Sequence, residues 1–375
     1  MRRIPLLLAA VVAAMLHGRA LAQQEFKLDD RDLWREQDAP PPGSPASIVR
    51  QARLVLAKGE AKRAKALMDA FLERFPADVL RPEALLVRGE ARNALDDEYG
   101  ALFDYEEVAR KYPYSSSFVP ALEREYEIAM RYAAGLKRKF WGTFRLVSTE
   151  DDAQEILIRI QERLPGSALA EKAGMSLADF YYDRRDMDLA ADAYDLFLQN
   201  YPRSNLADKA RVRLIASYCS GYKGPQFDAR GLAEAATKLR EMQATEPQLA
   251  KQLGAEAILL RIYESEADKR LTTANWYWSI GDPISAEREI RAMVKKYPRS
   301  VATLQALRVI DQVLARLPES VRKTAPDYAG IRRELLAASE RAQRLGPGAE
   351  ARTESTEAEV IAPAAPAAPE GQPTP

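Results

Sequence analysis

The sequence predicts an all-α protein in which about five irregular helical hairpins repeat and stack as an α-solenoid. Two observations carry that prediction. The tetrapeptide Tyr201-Pro202-Arg203-Ser204 returns letter for letter as Tyr297-Pro298-Arg299-Ser300. Looser copies stand at Lys111-Tyr112-Pro113-Tyr114-Ser115, Arg163-Leu164-Pro165-Gly166-Ser167 and Arg74-Phe75-Pro76. Twelve residues before Pro76, Pro113, Pro165, Pro202 and Pro298 sit Ala64, Ala101, Ala153, Ala190 and Ala286. A weaker sixth anchor pairs Pro247 with Ala235. A fixed internal period of this kind marks a repeat architecture.

The offset has a mechanical reading. A small residue lets the second helix of a hairpin cross close to the first, and apolar side chains four and seven positions later fill the groove beside it. The proline ends that helix, because it has no N–H to donate and restricts the residue before it. Two residues on, Ser115, Ser167, Ser204 and Ser300 are placed to cap the next helix through the side-chain oxygen. The repeated turn therefore stops one helix, redirects the chain and starts the next.

Taken in order, residues 1–22 read as a signal peptide: Arg2 and Arg3 precede an uncharged run from Ile4 to Leu16, and Ala20-Leu21-Ala22 sets cleavage after Ala22. That run is too short for a membrane anchor. Residues 23–46, punctuated by Pro40-Pro41-Pro42-Gly43, read as a flexible leader. The repeat array follows over 47–317. Within it, Phe118 to Ala134 reads as one amphipathic helix and Glu150 to Leu164 as its partner. Between them lies a basic aromatic insert, 135–149. Pro247 to Asp282 is expected to form one long helix or two nearly continuous ones. Helices are expected over 283–297, 300–317 and 326–345, with 318–345 a C-terminal helical segment. The Ala/Pro/Glu-rich tail 346–375 is expected to be disordered.

The spacing resembles the tetratricopeptide repeat, a helix-turn-helix unit whose superhelical stacks bind peptides or partner proteins. The clearest copy carries Leu177, Ala178, Tyr181, Ala190, Tyr194 and Pro202. The copy ending at Pro298 keeps Ala274, Tyr277 and Ala286, and the one ending at Pro113 keeps Gly89, Ala101 and Tyr105. Phe197 stands where the repeat usually has a smaller residue, so looser packing is expected there.

The irregular array also resembles the BamD family, periplasmic components of the outer-membrane β-barrel assembly machinery, over roughly residues 45–317. The most specific marks are the KYP and NYPRS turns and the hairpin ANWYWSIGDPISAEREIRAMVKKYPRSVATLQAL. The resemblance implies a non-enzymatic scaffold. Its C-terminal half would bind the central barrel protein, and its N-terminal half would receive unfolded barrel substrates. Two departures stand out: family members carry a lipid-modified N-terminal cysteine, and residues 135–149 and those after Leu317 exceed the minimal pattern. The only cysteine here is Cys219, so direct lipid anchoring at the outer membrane is not expected, while peripheral attachment through a partner stays open.

Composition narrows the function classes. Without residues 1–22 the chain has 52 basic and 55 acidic residues, a balance of −3 that excludes a strongly basic nucleic-acid binder. A single cysteine forms no intrachain disulfide, and Cys219 reads as a small buried apolar residue. The only histidine, His17, lies in the signal peptide, which removes imidazole-based nucleophile pairs and histidine metal sites. Ser320-Val321-Arg322-Lys323 fits a bare S-x-x-K pattern but follows Pro318, where serine is an ordinary helix start. No catalytic, cofactor or metal residues are assigned.

Binding surfaces are the remaining candidates. Arg138, Lys139, Phe140, Trp141 and Phe144 interleave basic and aromatic side chains in the insert, a pattern suited to anchoring a peptide, partner or headgroup. The competing reading tucks those aromatics into the neighbouring repeat. Trp276, Tyr277 and Trp278 form a second cluster pointing in different directions around a helix. Core packing accounts for one or two of the three, leaving Trp276 and Trp278 as partner candidates. The expected role is a periplasmic scaffold in barrel-protein assembly. The alternative is a periplasmic repeat adaptor of the Tol-Pal or cell-wall synthesis and division system.

Overall fold

The computed structural model describes residues 26–28, 34–36, 40–140 and 144–345. Residues 1–22, Trp141 and the tail 346–375 lie outside them. The chain divides into two compact units, Met1–Ile160 and Gln161–Pro375. Both are built from antiparallel helical hairpins stacked in chain order.

The first unit holds α1 (Pro45–Ala57), α2 (Ala61–Arg74), α3 (Arg81–Ala94), α4 (Glu98–Lys111), α5 (Phe118–Ala133) and the start of α6 (Glu150–Arg163). The second holds α7 (Ala168–Asp183), α8 (Met187–Asn200), α9 (Ala207–Ser220), α10 (Arg230–Thr245), α11 (Pro247–Leu253) and α12 (Ala255–Ser279). It continues with α13 (Pro283–Lys296), α14 (Val301–Ala315), the single turn α15 (Glu319–Arg322) and α16 (Tyr328–Leu345).

The repeat mechanics are visible in burial. Ala64, Ala101, Ala153, Ala190 and Ala286 are all buried. So are the residues four positions on, Met68, Tyr105, Leu157, Tyr194 and Ile290, and those seven positions on, Phe71, Val108, Ile160, Phe197 and Met293. The weaker sixth copy follows suit with Ala235, Leu239 and Met242. Each second helix thus presents one inward face at helical spacing.

The turns before Pro76, Pro113, Pro202 and Pro298 share one backbone geometry. Phe75, Tyr112, Tyr201 and Tyr297 have φ/ψ of −126/61, −131/53, −130/57 and −130/50 degrees, outside the α region. Each still donates its N–H to the carbonyl four residues back, so the helix closes its last bond before the proline forbids the next. The serines then diverge. Ser167 and Ser300 accept from the N–H groups of Ala170 and Thr303, both at 3.1 Å, and cap α7 and α14. Ser115 and Ser204 do not cap. Ser115 donates to the Tyr112 carbonyl at 2.9 Å, and Ser204 accepts from Leu206 N at 2.9 Å, because α5 and α9 start three residues further on.

Close helix approach has its own signature in the first unit. A Cβ on Gly89 of α3 would lie 2.8 Å from Tyr105 Cζ and 2.9 Å from its Cδ1, so the Tyr105 ring fills the space that the glycine vacates. The larger Phe197 is accommodated in a related way and is not loosely packed. It is 2% exposed, and a Cβ on Gly174 of α7 would already stand 3.5 Å from its ring. The stretch 247–282 resolves into two helices, α11 and α12, broken by Gly254 in the left-handed region at φ 71°, ψ 40°.

Two segments hold short antiparallel ladders that helical periodicity does not predict. Within the leader, β1 (Phe26–Leu28) pairs with β2 (Trp34–Glu36). In the insert, β3 (Arg138–Phe140) pairs with β4 (Phe144–Val147), with Phe140 opposite Phe144 and a register shift between Arg138 and Lys139. Aromatic and β-branched residues in the insert favour that pairing. At the base of the insert, Thr149 Oγ1 donates to the Leu136 carbonyl at 2.6 Å.

Candidate partner-binding surfaces

In the first unit an aromatic edge lies on α4. Tyr99 and Phe103, one helical turn apart, are 42% and 59% exposed and meet edge to face with ring centroids 4.9 Å apart. They border a cleft of about 210 Å³ with Ile156 and Arg159 of α6. Arg138, at the root of the insert, sits over the Tyr99 ring with Cζ 4.1 Å from its centroid and Nη1 3.9 Å from Asp152. Of the insert candidates, Arg138 is thus an aromatic-stacked, half-buried cation. Lys139, Phe140 and Phe144 lie on the paired strands, and Trp141 falls outside the described residues.

Behind this edge, α3 and α4 are joined by a buried charge cluster. Asp104, 2% exposed, receives Arg88 Nη2 at 2.5 Å and Arg92 Nη1 at 3.0 Å, while Arg88 also reaches Asp69 at 3.3 Å. Burial pushes the Asp104 carboxyl above its usual range, and the guanidiniums of Arg88 and Arg92 pull it back. The cluster locks the hairpin that displays Tyr99 and Phe103.

In the second unit the α12–α13 turn carries the other candidates. Trp276 is 56% exposed and stacks edge-on against Tyr277 at 5.0 Å. Ile280 and Ile284 are also exposed beside the turn. Tyr277 and Trp278 pack against the core, with Arg316 over the Trp278 ring at 4.4 Å. The three consecutive aromatics therefore split, with Trp276 outward and the other two inward. Asp282 caps α13 by accepting from Ser285 N at 3.0 Å, which holds its carboxyl below the usual range.

The Tyr297-Pro298-Arg299-Ser300 turn is clamped to α12. Tyr297 donates to Glu266 at 2.8 Å and packs edge-on against Tyr263, while Arg299 N reaches Tyr263 Oη at 3.3 Å. Tyr328 of α16 donates to the buried Glu287 of α13, which also holds Arg291 at 2.9 Å. These contacts fix the hairpin that presents Trp276.

Cys219 and the S-x-x-K lysine, singled out by the sequence, have these surroundings. Burial pushes the Cys219 thiol up in α9, away from the thiolate that reactivity needs. Lys323 of the S-x-x-K pattern pairs with Glu319 at 2.9 Å on an exposed turn. Among the described residues, no group of three or more His, Cys, Asp or Glu is disposed to hold a metal. No helix among them is long and apolar enough to cross a membrane.

Buried alanines at a fixed offset and a proline-stopped second helix together define a tetratricopeptide-repeat protein. The chain belongs to the outer membrane lipoprotein family YfiO, whose model matches residues 146–353, and within the repeat proteins it resembles BamD. Its one cysteine, Cys219, lies inside α9. No curated protein matches the chain. Similar solved structures include a thermophilic TPR protein of Thermus thermophilus, at 17% identity over 58% of this chain and 100% of that one, TM-score 0.26. PilW, a type IV pilus biogenesis factor, is 14% identical over 70% of this chain and 98% of that one, TM-score 0.27. A tetratricopeptide repeat protein from Parabacteroides merdae is 13% identical over 83% of this chain and 96% of that one, TM-score 0.32.

Proposed function

We infer that this chain is a non-enzymatic periplasmic scaffold in outer-membrane β-barrel protein assembly. It binds a barrel-protein partner and unfolded barrel substrates, and it is held peripherally at the outer membrane through that partner. The observation that carries this reading is the family match over 146–353, which spans α6 to α16 and includes the Trp276 turn. An exposed tryptophan beside Ile280 and Ile284, on a hairpin braced from behind, has the character of an interface anchor. Nucleic acid is disfavoured by the balanced charge.

Affinity purification of the tagged full chain from mildly solubilised native envelopes tests the role. The expected result is near-stoichiometric recovery of a large β-barrel protein with periplasmic domains, lost in Trp276→Ala. Recovery of Tol-Pal components or cell-wall enzymes in its place would move the function to that system.

A further inference from the structure

Tyr99 and Phe103 stand out among the aromatics of the first unit's helices. Phe71, Tyr105 and Tyr132 face inward and are buried, whereas these two project from α4 beside a cleft. We propose that this cleft is a docking site for an arginine side chain presented by an extended segment of a partner protein. The inference stands on the first unit's own residues and does not rest on the assembly role.

Size, charge and an internal precedent support it. At about 210 Å³ the cleft is smaller than the usual small-molecule pocket of roughly 300–1,000 Å³ and suits one long side chain. Four carboxylates line it, Glu106, Glu125, Asp152 and Glu155, against two guanidiniums: Arg159, which pairs with Glu155 and lies 3.6 Å from Glu106, and Arg138 at its edge, 3.9 Å from Asp152, so the lining stays two charges negative with these ion pairs made. The site therefore favours a cation and disfavours a phosphate headgroup, a chain-terminal carboxylate or a nucleic acid. Arg138 already shows the chemistry, stacked on Tyr99 and directed at Asp152. Phe103, one turn along and more exposed, offers a second aromatic face, with Glu106 a turn beyond it on the same helix. A planar guanidinium stacks on such a face and still donates in its plane to carboxylates, which an ammonium does less well.

The test titrates the folded full chain into a blocked, fluorescein-labelled Gly-Ser peptide with a central Arg-Tyr-Arg, read by fluorescence anisotropy at low salt. Control peptides carry Gln or Glu in place of both arginines. The arginine peptide is expected to bind, about tenfold tighter than its glutamine counterpart. Phe103→Ala is expected to weaken it about tenfold and Glu155→Gln about threefold. Both changes are at the surface, and unchanged thermal melts show that the variants fold. Equal binding of the glutamine peptide, tighter binding of the glutamate peptide, or undiminished binding by folded Phe103→Ala would each overturn the proposal.

Discussion

Replacing Gly89 by alanine should destabilise the first unit, although alanine is the better helix former. The substitution gains about 1 kcal/mol of helix propensity in the interior of α3. Against that, the new Cβ would stand 2.8–2.9 Å from two ring atoms of Tyr105 and closer still to a third. Ordinary carbon contacts lie at about 3.5–4.0 Å, so α3 and α4 must separate by most of an ångström or the ring must leave its place. The ring is fully buried, and the Arg88–Asp104 cluster ties the same two helices, so neither adjustment is easy. Overpacking of this kind costs about 1–3 kcal/mol, more where backbone must move. With that cost at the upper end, about 2–3 kcal/mol because backbone must move, the net expectation is a loss of about 1–2 kcal/mol. Gly174→Ala is the contrast. Its Cβ would meet the end of the flexible Gln161 side chain at 2.9 Å and Phe197 at only 3.5 Å, so it should be neutral or stabilising by up to about 1 kcal/mol. Urea unfolding followed by circular dichroism reads both as midpoint shifts at constant slope. A higher midpoint for Gly89→Ala would refute the claim that this glycine sets the α3–α4 distance.

Three further outcomes follow from the same geometry. Ser300→Ala should cost about 1 kcal/mol as a lost N-cap, while Ser115→Ala should cost only a few tenths, because Ser115 caps nothing; paired thermal melts distinguish them. Asp104→Ala should cost about 3 kcal/mol in urea unfolding, since it strands Arg88 and Arg92 in a largely buried interface. The Asp282 cap has a depressed pKa, so its contribution is complete above the unfolded value and fades as pH falls through the folded one. The melting difference between wild type and Asp282→Ala should therefore be present at neutral pH and narrow below about pH 3.8.

The repeat was legible because its signals are local and steric. A proline cannot extend a helix that reaches it and biases its predecessor out of the α region, and an alanine at a crossing leaves a gap that the residues four and seven positions on must fill. Gly254 resolved the long stretch 247–282 through its left-handed backbone, a break that periodicity alone does not reveal. The capping serines were half legible: the turn Tyr-Pro-x-Ser recurs, but where the next helix starts depends on tertiary packing, which delays α5 and α9. The ladder of β3 and β4 was hidden because a few residues give too short a window for a period of two to stand out. The exposed pair Tyr99 and Phe103 was missed for a different reason. At a spacing of four they match the inward aromatics of the repeats, and only the buried neighbours Ala101, Tyr105 and Val108 show that the inward face of α4 is already occupied. Nothing in the bare sequence separates Trp276 from Trp278; the stacking of Arg316 on Trp278 does.

The most direct test of the central claim is photocross-linking in the native host, with a photoreactive amino acid at position 276 of the full chain and mass-spectrometric identification of the adduct. One dominant adduct is expected, with a large outer-membrane β-barrel protein that carries periplasmic domains. Adducts confined to Tol-Pal or cell-wall synthesis proteins, or no adduct at 276 from a folded and correctly exported chain, would contradict it.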